Sequence, residues 1–164
     1  MTPRRTVVSE IPTVFIGGPF KGLVQATTGL VDPAHQRRYE RLIEHFTQRG
    51  WRTLSAHRQE GWGGAMVAAD VCTARDFAWM QECDLFVAFP GHPVSPGTHV
   101  EIGWASALGR PTVLLREPGV EPAALIAGLS AVAPVTYLDY EDGLAFPTAL
   151  DAAVRQLTDR VGVG

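Results

Sequence analysis

The segment SPGTHVEIGWASALGRP, residues 95–111, combines small hydroxyl residues with a carboxylate where a helix is expected to begin. Ser95, Gly97 and Thr98 can offer hydroxyls and backbone N–H groups at a helix N-terminus, where the helix dipole favours an anion such as phosphate. Glu101 has two interpretations. It either completes a T-x-x-E capping box in the first helical turn, or it places a carboxylate beside a bound phosphate. We favour the second, because the segment follows the strongest predicted strand.

A second acid, Asp76, precedes Glu101 by 25 positions, near the start of another predicted helix. Taken alone, Asp76 is typical of a first-turn acid that complements the helix dipole. Together, the two carboxylates supply what cleavage of an N-glycosidic bond requires. One faces the anomeric carbon, where positive charge develops, and the other manages protons on the base or on water. If such a pair acts by a retaining mechanism, its two carboxyls should lie about 5 Å apart.

The loop GGPFKG, residues 17–22, suits contact with a nucleotide. Gly17 and Gly18 allow a ligand to approach the backbone closely. Phe20 places a large apolar ring in a loop, which favours stacking on a nucleobase. Lys21 is the only lysine of the chain, and it is either an ordinary surface charge or a cation directed at a phosphate or a polar substituent of the base.

Three further candidates have open alternatives. Phe15 ends the first predicted strand and belongs either to the core or to the site. His57 and Glu60, in AHRQEGWG, either form a hydrogen-bonded pair that stiffens their loop or contact sugar and base. The remaining histidines lack the spacing of metal ligands, so we expect no metal and no cofactor.

The elements that must position these residues alternate along the chain. Apolar runs predict strands at 13–16, 51–55, 85–89, 111–115 and 135–138. Helical patterns are found at 33–49, 70–83, 98–108, 121–131 and 148–160. This alternation predicts the α/β class: a single doubly wound, flavodoxin-like, five-stranded parallel sheet in a three-layer α/β/α sandwich. Ligands of such sheets bind beyond the carboxyl ends of the strands, where the candidate residues should meet.

Composition limits the partners. The 164 residues suit one domain, residues 1–164, with 1–11 as a loose N-terminal segment. A net charge of −3 does not attract nucleic-acid polymers or anionic membranes, and no apolar run reaches the length of a membrane span. Cys72 and Cys83 are interpreted as free thiols of a reducing cytoplasm.

Four segments together resemble the nucleoside 2-deoxyribosyltransferase superfamily: FIGGPFKGLV, AHRQEGWG, RDFAWMQECD and FVAFPGHPVSPGTHVEIGWASALGRP. The resemblance covers about residues 13–116. Within the superfamily the pairing of GGPF with SPGTHVEIGWAS is most similar to CMP and hydroxymethyl-CMP N-glycosidases of the mildiomycin and blasticidin S type. It implies a flavodoxin-like fold and a retaining mechanism with a glutamate nucleophile.

The resemblance also implies roles for single residues. Glu101 matches the nucleophile and Asp76 the acid that assists the leaving base. Ser95 and Gly97 match the 5′-phosphate loop. The first-loop positions that bear rings or a basic group are matched by Phe15, Phe20 and Lys21. In the related deoxynucleoside 5′-monophosphate N-glycosidase a serine from a neighbouring subunit helps to bind phosphate, whereas the matching PAALIAGL has no hydroxyl.

We therefore expect hydrolysis of CMP, or of a 5-substituted CMP, to the free base and ribose 5-phosphate, in nucleoside antibiotic biosynthesis. The partner is a small pyrimidine nucleoside 5′-monophosphate, and the resemblance implies a homodimer or larger homo-oligomer. The alternatives are a nucleoside 2-deoxyribosyltransferase, a deoxynucleoside 5′-monophosphate N-glycosidase and a non-catalytic nucleotide-binding module.

Overall fold

A five-stranded parallel sheet with the order β2-β1-β3-β4-β5 organises the chain. The structure is a computed structural model that describes residues 11–92 and 94–161. The strands are β1 (Thr13–Gly17), β2 (Arg52–Leu54), β3 (Leu85–Ala88), β4 (Thr112–Arg116) and β5 (Val135–Asp139). The helices are α1 (Pro33–Gln48), α2 (Ala56–Gln59), α3 (Ala69–Glu82), α4 (Pro96–Ala107), α5 (Ala124–Ala127) and α6 (Phe146–Val161). This order confirms the predicted doubly wound, flavodoxin-like sheet.

Both faces of the sheet are covered by helices because successive side chains of a strand point to opposite faces. Val14 and Ile16 of β1 pack into a core with α1 and α6. Phe15, between them, packs into a second core with α3, α4 and α5. The central strands β1 and β3 are therefore wholly buried, as their unbroken apolar runs predict.

One predicted helix is shorter in the structure. The pattern at residues 121–131 predicts a single helix, but α5 ends at Ala127 and a separate 3-10 turn covers Leu129–Ala131. Gly128 lies between the two, with φ −92° and ψ 0°. Glycine is a weak helix former, so the break at this position has a local cause. The predicted loose segment lies almost wholly in residues 1–10, outside the described residues.

The strand order places a crevice between β1 and β3. The chain leaves β1 toward β2 on one side of the sheet and leaves β3 toward β4 on the other, which makes this the topological switch point. The loop after β1 and the N-terminus of α4 lie at its carboxyl edge. Among the helices described, none combines the length and the apolar character that crossing a membrane would require.

Candidate active site

A cavity of about 490 Å³ opens beyond the carboxyl ends of β1 and β3. Its size lies in the range of small-molecule sites. All of the site residues predicted from sequence line it: Phe15, Gly17, Gly18, Phe20, Lys21, His57, Glu60, Asp76, Ser95, Gly97, Thr98 and Glu101. The topology thus brings the two acids, the glycine-rich first loop and the α4 N-terminus to one place.

Glu101 projects into this cavity from the second turn of α4. Ser95 is the N-cap, because its Oγ accepts the backbone N–H of Thr98 at 3.3 Å, and Pro96 is the first helical residue. Glu101 is then the sixth residue of the helix. The predicted first-turn position is wrong, and so is the capping-box interpretation, because the cap lies three residues earlier than the T-x-x-E pattern indicates.

The end of β1 is shaped around the Glu101 carboxylate. A Cβ built on Gly17 would lie 2.9 Å from Glu101 Oε2 and 2.9 Å from Cε2 of Phe86. Such contacts are too close for any side chain, so the absence of a Cβ lets the carboxylate sit against the strand. At Gly18, with φ 153°, a Cβ would overlap the hydroxyl of Tyr39.

Asp76 enters the cavity from the middle of α3, where it is the eighth of 14 residues. The predicted position near the helix start is therefore wrong, since α3 begins at Ala69. The Asp76 carboxylate is held by its sequence neighbour: Arg75 Nε donates to Asp76 Oδ1 at 2.8 Å. The same guanidinium donates from Nη2 to Glu60 Oε1 at 2.7 Å.

The two acids influence each other's protonation. Burial raises the pKa of Glu101 to about 8, the charge of Asp76 raises it as well, and Arg75 opposes both. Burial also raises the pKa of Asp76, while its hydrogen bond and charge interaction with Arg75 lower it. Two neighbouring carboxyls titrate as a pair. Because the pKa of Glu101 is raised to about 8, this pair can retain one proton at neutral pH.

His57 anchors the first loop from inside. Its Nε2 donates to the carbonyl of Pro19 at 2.9 Å, and the Tyr39 hydroxyl donates to the same carbonyl at 3.1 Å. The imidazole stacks on Tyr39 with ring centroids 3.9 Å apart and packs against Phe20 at 4.6 Å. Burial lowers the pKa of His57 to about 4, so the ring is neutral. His57 and Glu60 therefore have different partners, Pro19 and Arg75.

The remaining first-loop candidates differ in exposure. Lys21 is exposed and begins a short 3-10 turn, Lys21–Leu23, at the rim of the cavity. Phe20 is partly buried. Phe15 has no exposed surface and packs between Trp79 and Phe86, at centroid distances of 5.6 Å and 5.2 Å, beneath the cavity.

The N-terminus of α4 offers hydrogen-bond donors to an anion. Ser95 Oγ accepts from the Thr98 N–H and, at 3.0 Å, from the Thr98 hydroxyl. Because both interactions use Ser95 as acceptor, its own O–H is left to donate. The N–H of Gly97 belongs to the first helical turn, whose N–H groups have no carbonyl partner inside the helix. A Cβ built on Gly97 would meet no atom within 4 Å.

Comparison with known proteins identifies the family. The model of the nucleoside 2-deoxyribosyltransferase family matches residues 26–124. The chain belongs to this family. This membership confirms the resemblance inferred from the sequence motifs. No curated protein sequence matches the chain.

Two solved structures are similar to this chain in both sequence and fold. One is the CMP N-glycosidase BcmB from Clostridium botulinum, with 35% identity over 85% of this chain and 98% of that chain, and a TM-score of 0.63. The other is the solution structure of BlsM, with 44% identity over 94% of this chain and 96% of that chain, and a TM-score of 0.82. The matched region therefore covers nearly the whole length of both relatives.

The structure adds residues to the site that sequence reasoning missed. Arg75 links two acids of the cavity, although adjacent residues of a helix do not normally face each other, so spacing gave no signal for it. The apolar side of the cavity is lined by Met66, Val67, Cys72 and Val94. Among residues 11–92 and 94–161, no group of three or more His, Cys, Asp or Glu side chains is arranged to hold a metal ion.

Proposed function

We propose that the protein is an N-glycosidase that hydrolyses CMP, or a 5-substituted CMP, to the free cytosine base and ribose 5-phosphate. The observation that carries this proposal is the meeting of Glu101 and Asp76 in one cavity with the N-terminus of α4. Family membership and the similarity to a CMP N-glycosidase support the same activity. Hydrolysis of the N-glycosidic bond by this route requires no cofactor, because the two carboxyls supply the nucleophile and the proton.

The proposed reaction begins with the proton that the pair of acids retains. Glu101 must be ionised to attack C1′, so its proton moves to Asp76. Arg75 occupies Asp76 Oδ1, and Oδ2 is then the oxygen that takes the proton and passes it to the departing base. The C1′–N bond breaks, a C1′–O bond to Glu101 forms, and the base leaves neutral.

Water completes the cycle. Asp76, now ionised, accepts a proton from a water molecule that attacks C1′. The bond to Glu101 breaks, ribose 5-phosphate is released, and Glu101 returns as a carboxylate. One proton again resides on the pair, so protons and charge balance over the turnover.

Recognition is divided between two ends of the cavity. The Ser95 hydroxyl, the Gly97 N–H and the Lys21 ammonium suit the 5′-phosphate, and the helix dipole of α4 adds to them. Phe20 and the first loop suit the pyrimidine. Thr98, which is buried, supports Ser95 through its hydrogen bond.

Release of cytosine from CMP by the purified protein tests the function. We expect the wild type to form cytosine and ribose 5-phosphate, and Glu101→Gln to lose at least about 10³-fold in kcat, because a nucleophile is removed. The matched control is Glu44→Gln, on the exposed side of α1. If wild-type protein forms no cytosine from CMP, dCMP or hydroxymethyl-CMP, the proposal is wrong.

The family model favours a second candidate, a transferase that passes deoxyribose between bases. It requires the glycosyl-enzyme to wait for a second base instead of water. Incubation with deoxycytidine and adenine separates the two, since exchange product there without hydrolysis of CMP would establish the transferase. Faster hydrolysis of dCMP than of CMP would indicate a deoxynucleoside 5′-monophosphate N-glycosidase. Binding of CMP without any base release would indicate a non-catalytic nucleotide-binding module.

We also propose a homodimer, a cytoplasmic location and a role in nucleoside antibiotic biosynthesis. The exposed apolar side chains of α3 and α4 support self-association. Cys72 and Cys83 are free thiols, which suit a reducing compartment. The motifs shared with antibiotic-pathway glycosidases support the biosynthetic role.

A further inference from the structure

Arg75 occupies an unusual place beside the catalytic pair. Its guanidinium donates to Glu60 and to Asp76, at 2.7 Å and 2.8 Å, and lies over the ring of Trp79 at 4.8 Å from the centroid. The side chains of Arg75, Glu60 and Asp76 are only 16%, 5% and 14% exposed. An arginine held on three sides in this way has almost no freedom to move.

We propose that Arg75 is a positioning residue: anchored by Glu60 and Trp79, it holds Asp76 through Oδ1 and leaves Oδ2 to exchange a proton with Glu101 and the base. This inference rests on the proposed function and concerns the same site. Arg75 does not line the cavity itself, so it acts through Asp76 and not on the substrate.

The residue type fits this task. Arginine presents a planar fork of N–H donors that can bond two carboxylates at once, and its flat face stacks on aromatic rings. Lysine carries the same charge but a single mobile ammonium. Trp79 is fixed in turn by Phe15, with ring centroids 5.6 Å apart, which connects Arg75 to the core under the cavity. An exposed ion pair would give no such precision.

The charge of Arg75 also acts on the shared proton. It lowers the pKa of Asp76 and that of Glu101, against the burial that raises both. The negative charge of Glu60 raises the pKa of Asp76. The other titratable groups at the cavity or packed against its acids are Lys21, Tyr39, His57 and Cys72. Of the positive charges, Arg75 alone among the described residues is hydrogen-bonded to an acid of this pair.

Carboxyl titration by ¹³C NMR tests the inference on the full chain without substrate. Replacing Arg75 by Gln should raise the pKa of Asp76 by about one unit or more, because an opposite charge within hydrogen-bond distance lowers a carboxyl pKa by about one to three units. Arg75→Lys retains the charge and should titrate closer to wild type. The matched control is Arg52→Gln, which breaks the exposed ion pair with Glu82.

Kinetic measurements with CMP separate the positioning of Asp76 by Arg75 from the effect of the Arg75 charge. Arg75→Lys should lower kcat about 10-fold with KM nearly unchanged, since the fork is lost and the substrate is not contacted. Glu60→Gln should lower kcat as well, although it removes a negative charge near Asp76, because the anchor is lost. In Arg75→Gln the bell-shaped profile of kcat/KM should move to higher pH.

Failure of the inference about Arg75 can be distinguished from failure of the proposed N-glycosidase function. If wild-type protein releases no base, the proposed function fails, and the NMR titration still decides whether Arg75 controls Asp76. If base is released but Asp76 titrates alike in wild type and Arg75→Gln, the inference is overturned. Wild-type kcat in both Arg75→Lys and Glu60→Gln would overturn it too. Should Arg75→Gln fail to fold, the other two variants decide.

Discussion

At the scale of single residues, the surroundings of Glu101 make its carboxylate more reactive, but they lower the stability of the folded protein when this carboxylate is ionised. Its carboxylate lies against Gly17 and is partly buried, and burial with the nearby Asp76 raises its pKa to about 8. A carboxylate in such surroundings is poorly solvated, so it is more reactive toward a developing positive charge than one in water. The folded protein therefore resists ionisation of the group that the proposed mechanism ionises.

The first prediction is that Glu101→Gln stabilises the protein at alkaline pH. The folded pKa of about 8 lies above the ordinary value of 4.5, so the folded state binds this proton more tightly than the unfolded chain. The resulting loss of stability is absent below pH 4.5, grows as the pH rises toward 8 and is complete above it. Glutamine does not ionise, so relative to wild type it should gain on the order of 5 kcal/mol between pH 4.5 and pH 9.

Chemical denaturation of both proteins at pH 4.5, 7 and 9 measures this difference. The control Glu44→Gln, on an exposed helix face, should show no pH-dependent change relative to wild type. A free-energy difference between Glu101→Gln and wild type that is the same at all three pH values would contradict the raised pKa.

The sequence predicted which residues line the cavity better than it predicted the contacts those residues make. Acid, glycine and hydroxyl residues were located through the rule that ligands bind beyond the carboxyl ends of parallel strands. The partners of His57 and the bridge through Arg75 could not be predicted. They depend on which side chains meet across β1, α2 and α3, and no periodicity encodes that. The predicted separation of about 5 Å between the two carboxyls stays a prediction.

At the scale of elements, the first turn of α4 combines a helix cap with a proposed phosphate site. Ser95 caps the helix through the Thr98 N–H and keeps its own O–H free. Sequence reasoning placed the helix start at Thr98, because T-x-x-E matches a capping box. Both Ser95 and Thr98 are good N-caps, and the choice between them follows from Pro96, which suits the first helical position.

The second prediction uses Ser95→Asp to separate these two roles. Aspartate caps helices as well as serine does, so the melting temperature should change little. Its negative charge should repel a phosphate, so kcat/KM for CMP should fall about 100-fold while slow cleavage of cytidine is unaffected. The matched control is Ser106→Ala, whose hydroxyl donates to a carbonyl inside the same helix. Equal losses with CMP and cytidine would mean that Ser95 does not meet the phosphate.

At the scale of the whole molecule, the two helices that supply the acids also leave large apolar side chains exposed. Within the chain, α3 buries only Met80, and it leaves Val71 and Phe77 exposed. Val100 on α4 and Leu108, the residue directly after α4, are exposed too. The Phe77 ring packs edge-on against Trp104 of α4, with centroids 5.2 Å apart, so the two helices share this apolar surface. Exposed apolar surface of this kind is typical of a protein–protein contact.

The last prediction is that a second copy of the chain covers this surface. Light scattering coupled to gel filtration should give a wild-type mass near twice the 17.7 kDa of one chain. Phe77→Glu should give the single-chain mass, because a carboxylate would be buried between apolar helices without a partner. Leu144→Glu is the control: Leu144 is 99% exposed and lies before α6, so its replacement should leave the mass unchanged.

A monomeric wild type, or a Phe77→Glu variant that still pairs, would contradict this assembly. If Phe77→Glu becomes monomeric, its activity carries a further consequence. The acids project from the same helices whose outer surfaces would meet in the dimer, so separation should loosen α3 and lower kcat. Unchanged kcat in the monomer would mean that α4, Arg75 and the core hold the catalytic pair without help from the second chain.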